Sequence, residues 1–169
     1  YGLTFVHYPA LKETMNDIDW RVHDKNNRIS ILTELNELDN WIKVYCNSFN
    51  LENKSGIVFD ILKKNFKKFI FVLYSDNYDG ENKRKMPAGC CLLYPYKNAV
   101  GLYCLGTVKE FRNKNIASRI IQYSILQSLK NDYQWFILQT LKSDNLLPFY
   151  ERHGFCKIYS NKIFGLSSG

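Results

Sequence analysis

From Thr33 onward the apolar positions recur at three- and four-residue steps, through Leu35, Leu38, Trp41, Ile42, Tyr45 and Phe49. That spacing gathers them on one side of a 3.6-residue spiral and predicts an amphipathic helix, with Thr33 able to cap its start. Ile57, Val58, Ile61, Leu62 and Phe66 predict a second helix from about Ser55, its lysines lying toward the C-terminal end where the dipole favours cations. The period then changes. Phe69 to Tyr74 is β-branched and aromatic, the polar run Ser75 to Lys85 follows, and Ala88 to Tyr96 is apolar again, which predicts a long hairpin. A third strand, about Val100 to Val108, follows a turn at Lys97 and Asn98 and completes an antiparallel meander. Ile116, Ala117, Ile120, Ile121, Ile125 and Leu129 form the next helical stripe, about four turns long. Trp135 to Leu141 is continuously apolar, as in a strand buried on both faces that lies parallel to a neighbour after a helical crossover.

Ser143 to Phe155 holds one short helix, with Pro148 in its first turn and Gly154 where a left-handed helix end belongs. Phe155 to Ser160 predicts another strand, and Asn161 to Leu166 a last one. Residues 1–28 are polar and aperiodic, with Asn16, Asp17, Asp19, Asp24, Asn26 and Asn27 breaking any pattern. They form an irregular lead-in to a single domain over 29–166, followed by a tail at 167–169. The class is α/β, of the mixed α+β kind, with a meander followed by a βαβ unit.

Composition narrows the chemistry. The 169 residues are 46% apolar, 15% aromatic and 23% charged, the balance of a chain that buries a core. A net charge of +7 favours an anionic ligand, whether a phosphorylated cofactor, nucleic acid or an acidic surface. The basic residues are scattered and no aromatic-basic RNA-binding motif or recognition helix is visible, which argues against nucleic acid. No apolar run reaches the roughly 18 residues of a membrane span, and Tyr1 to Ala10 lacks the features of a secretory signal. Cys46, Cys90, Cys91, Cys104 and Cys156 are odd in number and lack C-x-x-C spacing, so a reducing compartment is expected, cytoplasmic or nuclear. His7, His23 and His153 lie far apart, and no metal is expected.

The informative segment is Thr107 to Ser118, between the third meander strand and the long helix. Amides opening a helix have no intrahelical acceptor and point outward with the positive end of the dipole, which suits a pyrophosphate. Arg112, Lys114 and Arg119 add charge beside that end.

At this point the chain resembles the GNAT superfamily of CoA-dependent N-acetyltransferases. The family's phosphate loop runs Gln or Arg, two variable positions, Gly, one variable position, then Gly or Ala. Arg112, Asn113, Lys114, Asn115, Ile116 and Ala117 match at the ends, with Asn115 in place of the first Gly. Asn tolerates a left-handed conformation better than other non-glycine residues. The family's second motif, a Tyr four residues before Gly-Phe, is met by Tyr150, Gly154 and Phe155, and Ser143 stands where the family often carries Asn or Ser against the pantetheine arm. The resemblance covers about 39–158.

It implies a central mixed sheet with helices on both faces, in which the meander's last strand and the following parallel strand splay into a V for acetyl-CoA. Leu105, Gly106 and Thr107 would pair with the acyl-pantetheine arm, and the amides of Asn113, Lys114, Asn115, Ile116, Ala117 and Ser118 would hold the pyrophosphate. Tyr150 would donate a proton to the departing thiolate, since a phenol of ordinary pKa about 10 stays protonated at neutral pH. The acceptor that the resemblance implies is a primary amine of a small molecule, peptide or protein. No carboxylate lies in Val100 to Val108 or Trp135 to Leu141, where the family often carries a basic Glu; Tyr103, His153, or water relayed to Glu110 or Asp144 are the candidates. The competing reading is a module of the same fold that holds CoA without turnover. Cys104 reads as core packing.

Overall fold

The computed structural model describes residues 2–8, 28–77 and 85–162. In chain order the elements are β1 (Gly2–Tyr8), β2 (Ile29–Ile31), α1 (Leu38–Phe49), α2 (Ser55–Lys64), β3 (Ile70–Asn77), β4 (Lys85–Tyr96), β5 (Ala99–Thr107), α3 (Ile116–Lys130), β6 (Trp135–Leu141), α4 (Leu147–Glu151) and β7 (Cys156–Lys162). Among the described residues they build a seven-stranded mixed sheet in the order β2-β3-β4-β5-β6-β1-β7, in which β5 and β6 pair in parallel and the other neighbours antiparallel.

Period-two alternation in the central strands sorts the core into two layers. Val72, Tyr74, Cys91, Leu93, Val100 and Leu102 face α3 and α4, together with Ile116, Ile120, Ile121, Ile125 and Tyr150. Phe71, Leu73, Cys90 and Leu92 face the other way, onto Leu38, Trp41, Ile42 and Val44 of α1. Trp41 anchors this second layer. It is fully buried, and its indole Nε1 donates to the carbonyl oxygens of Val72 at 3.1 Å and Cys91 at 3.0 Å, on adjacent strands. Its ring meets Phe71 edge-on at 5.2 Å and stacks on Tyr45 at 5.4 Å.

Several expectations need correction. Gly2–Tyr8 is part of the expected lead-in, yet it is a strand inserted antiparallel between β6 and β7. Its pattern is too short to stand out alone; pairing with two neighbours supplies what local propensity lacks. The expected loop 78–84, residues 9–27 and the end from 163 lie outside the described residues. The strand pair expected over 155–166 is, as far as 162, the single β7. β6 is not buried on both faces: Phe136, Leu138 and Thr140 point inward while Trp135 and Gln139 are exposed, because α1 packs on β3, β4 and β5 and leaves that face of β6 open. Thr33 does not cap the first helix. A 3₁₀ turn at Leu35–Glu37 precedes α1, and Glu37 accepts from the amides of Thr33 at 2.8 Å and Glu34 at 3.1 Å.

Replacing Trp41 by Phe leaves two buried carbonyl groups without the indole donor, a loss of about 1–3 kcal/mol. Chemical denaturation at unchanged m-value measures it, and a loss under about 0.5 kcal/mol, the usual size of an uninvolved substitution, contradicts the anchoring role.

Candidate active site

The β5–β6 ladder is short. Ala99, Val100, Gly101 and Leu102 pair with Trp135, Phe136, Ile137 and Leu138, and there the pairing stops although both strands continue, to Thr107 and Leu141. Immediately beyond Leu102, β5 carries a bulge against β4. Tyr103 faces Leu92 and Gly106 faces Cys90, so two residues of β5 oppose Cys91 alone, and Cys104 takes a left-handed φ of 54°. A bulge bends its strand and reverses the alternation beyond it. Accordingly Leu102 and Leu105 both pack toward the α3 layer, with Cys104 on the α1 side between them. The two strands therefore part into a V.

The outer rim of the V is held open by close backbone packing. A Cβ on Gly106 would lie 2.7 Å from the Cβ of Ser48, so the end of α1 sits flush against β5 there. Arg112, in the loop after β5, ties itself to both segments: its Nε donates to the Thr107 carbonyl and its Nη2 to the Ser48 carbonyl, both at 3.2 Å. A cation on the last carbonyls of α1 also complements that helix's dipole.

Between β5 and α3 the loop turns through two left-handed residues, Asn113 at φ 63° and Asn115 at φ 58°. Asn115 is the N-cap of α3 but makes no side-chain cap. Among the described residues, no acceptor takes a hydrogen bond from any backbone amide between Asn113 and Ser118; the next amide, Arg119, bonds the Asn115 carbonyl at 3.1 Å. The helix thus opens onto a cleft of about 780 Å³ that also receives Ser48 and Phe49 from α1, Leu105 to Thr107 from β5, and Tyr150 and His153. A second cavity, about 270 Å³, occupies the V itself and shares Phe49, Leu105, Leu146 and Tyr150 with the cleft.

Of the residues singled out from sequence, Leu105, Gly106, Thr107, Arg112, Asn113, Asn115, Ile116, Ala117, Ser118 and Tyr150 line this cleft. Lys114 and Ser143 do not. Lys114 turns outward, its ammonium 4.9 Å from the Phe111 ring, and borders a separate groove with Glu110 and Lys43. Ser143 lies exposed in the turn after β6 and donates to Asp144 Oδ1 at 3.2 Å. Arg119 points to the sheet, its Nη1 donating to the Tyr74 hydroxyl at 3.0 Å.

Tyr150 is 7% exposed, and burial, with the Asp144 charge adding to it, pushes its phenol up to about 12. It stays protonated throughout the neutral and mildly alkaline range. His153 Nε2 lies 3.0 Å from Ser118 Oγ, and burial with the Arg152 charge holds its imidazole below the ordinary value. Burial raises the Cys104 thiol to about 11, which keeps it a thiol. Ser48, Phe49 and the Cys104 bulge went unread in the sequence; Gly106 inside a strand pattern is the local sign of a bulge or close approach.

Residues 67–157 match the model of the acetyltransferase (GNAT) domain family. The chain belongs to that family. A functionally unknown conserved protein from Staphylococcus epidermidis ATCC 12228 is similar over 94% of this chain and 58% of its own, at 16% identity and TM-score 0.63. A GNAT-family protein from Novosphingobium aromaticivorans DSM 12444 is similar over 94% and 60%, at 16% identity and TM-score 0.62. The PaiA N-acetyltransferase from Thermoplasma acidophilum, in complex with coenzyme A, is similar over 74% and 87%, at 14% identity and TM-score 0.56. The chain spans about three-fifths of the length of the first two. No curated protein sequence matches it. These likenesses establish the GNAT fold, one that supports acyl transfer in general. No helix among the described residues is long and apolar enough to cross a membrane.

Because Asn115 holds a left-handed φ, Asn115→Gly is expected to leave stability within about 0.5 kcal/mol, whereas Asn115→Val costs about 1–2 kcal/mol. Equal stability of the two variants, read from denaturation midpoints, contradicts the left-handed loop.

Proposed function

We propose that the chain transfers the acetyl group of acetyl-CoA to a primary amine of a small molecule, peptide or protein. The observation that carries the reading is that open amides, an unpaired strand edge and a buried phenol border two neighbouring spaces, the cleft and the cavity in the V, with Phe49, Leu105, Leu146 and Tyr150 lining both. Three features fit the cofactor. Amides 113–118 present donors to a diphosphate at a helix N-terminus. The edge of β5 from Tyr103 to Thr107 is free to pair with an extended amide-bearing arm. Ser48, 8% exposed, lines the cleft with a buried hydroxyl that has no partner in the protein.

When bound, acetyl-CoA supplies the activated carbonyl. Leu105, the second residue of the bulge, would offer its backbone amide to the charge that develops on a carbonyl oxygen. Tyr150, whose phenol stays protonated above the V, would donate a hydrogen bond to the departing sulfur. A thiol of ordinary pKa about 8.5 is the stronger acid, so the phenol keeps its proton, and the proton shed by the attacking amine would neutralise the thiolate. Phe49, Leu105, Phe149 and Leu146 keep the surroundings apolar. Arg112 acts by bracing the loop, and Lys114 and Ser143 belong to its periphery. The five free thiols suit a reducing interior, and we place the activity in the cytoplasm.

A second reading, cofactor retention without turnover, is favoured by the lack of a carboxylate in β5 and β6. Calorimetry with CoA and release of CoA thiol in the presence of amines separate the two: binding with no release across a panel of amines supports the module.

Ala117→Glu puts bulk and negative charge beside the open amides and is expected to abolish CoA binding by calorimetry; retained affinity contradicts the loop assignment. Tyr150→Phe is expected to slow turnover by about 10- to 1000-fold with CoA affinity nearly unchanged. Unchanged turnover assigns Tyr150 to packing.

A further inference from the structure

The outward side of α2 departs from the usual pattern of a surface helix. Val58, Phe59 and Leu62 pack inward on the α1 layer, which is the apolar stripe such a helix needs. Ile57 and Ile61 lie one turn apart on the other side and are 63% and 57% exposed. An isoleucine there gains nothing from packing, and its branched Cβ makes it a poorer helix former than alanine, leucine or lysine. Lone apolar residues on a surface are ordinary, whereas a contiguous exposed ridge marks a contact surface. Cations frame this one. Lys54 stands three residues before Ile57 and Lys64 three after Ile61, so positions 54, 57, 61 and 64 follow one line along the helix. Lys63, whose ammonium also sits 5.7 Å from the Phe59 ring, Lys67 and Lys68 add to them, and all five lysines are exposed. The acidic residues from 52 to 68 are Glu52 and Asp60, and among the described residues no carboxylate pairs with any of the five lysines. The cleft, the cavity in the V and the groove beside Lys114 take no residue from α2, so the ridge stands clear of all three.

We infer that the outer face of α2 docks the protein on an anionic lipid bilayer, with Ile57 and Ile61 entering the interface and the lysines among the phospholipid headgroups. Charge complementarity selects the lipid: five lysines against two carboxylates match a leaflet that carries phosphatidylserine. Lysine suits the place because its hydrocarbon stem follows the isoleucines inward while its ammonium stays at headgroup level. A bilayer surface accepts a convex ridge as it stands, whereas a partner protein must supply a matching groove. Nucleic acid uses the lysines alone and leaves the isoleucines in water. The inference goes beyond the acetyl-transfer reading and does not depend on it.

Flotation of the full chain with phospholipid vesicles tests it. Vesicles of phosphatidylcholine alone are compared with vesicles containing about 30% phosphatidylserine, in about 0.1 M NaCl. Binding to the anionic vesicles is expected to be tighter by about tenfold or more, and to weaken by about tenfold or more when the salt is raised to about 0.5 M. Lys54→Gln combined with Lys64→Gln is expected to weaken it about 20-fold, from about fivefold for each lysine. Ile57→Ala combined with Ile61→Ala is expected to weaken it about tenfold or more, with Tm lowered by no more than about 3 °C, because both side chains are exposed and alanine favours the helix. The lysine pair alters no packing and carries the electrostatic arm independently. Equal binding to the two vesicles, binding to neither, or undiminished binding of the isoleucine variant overturns the inference. So does binding to poly(U) RNA, unchanged in the isoleucine variant, by a chain that ignores both vesicles; that result assigns the lysines to nucleic acid.

Discussion

β5 and β6 stop sharing hydrogen bonds after Leu102 and Leu138, and the site is built from that interruption. Backbone donors and acceptors cannot be buried without partners, so strands that part inside a sheet must have something to do with the groups they release. Here the parting begins at the left-handed Cys104 and the bulge it forms against Cys91. It is then locked from the outside, by Gly106 pressed onto Ser48 and by Arg112 bonded to the carbonyls of Ser48 and Thr107. The two core layers lie on opposite sides of the sheet and hold β4 and the paired part of β5 in place beneath the opening.

The basic character of the chain contributes less to anion recognition than its net charge suggests. Arg112 is bonded to backbone carbonyls, Arg119 to the Tyr74 hydroxyl, and Lys114 lies over the Phe111 ring. These three cations are therefore engaged within the protein, while Arg152 is the other cation that lines the cleft. In the proposed reading, attraction for a diphosphate comes instead from main-chain amides at the positive end of α3, which lose no side-chain freedom on binding. Asparagine at 113 and 115 is what lets a loop without glycine present them.

Much of this was legible in the sequence because it rests on local rules. Helical and strand periods located α1, α2, α3 and the meander, Pro148 and Gly154 bounded α4, and the loop and the Tyr-Gly-Phe spacing pointed to the cleft. What escaped depends on contacts distant in sequence. β1 owes its structure to pairing with β6 and β7, more than a hundred residues away. The outward turn of Lys114 depends on where Phe111 packs, and the capture of Arg112 depends on the end of α1. Thr140 reads as one more strand residue until the fold shows its hydroxyl buried without a partner. Asp144 gains its position beside Tyr150 only because a turn follows β6 where the strands diverge.

The central claim is that the amides of Asn113 to Ser118 and the free edge of β5 together grip one nucleotide-thiol ligand. Backbone amide NMR during titration with CoA tests it directly. The account requires saturable shifts concentrated at 113–118 and at Tyr103 to Thr107, with slowed hydrogen exchange along that strand edge. Saturable binding whose shifts fall elsewhere, with those amides unmoved, contradicts it.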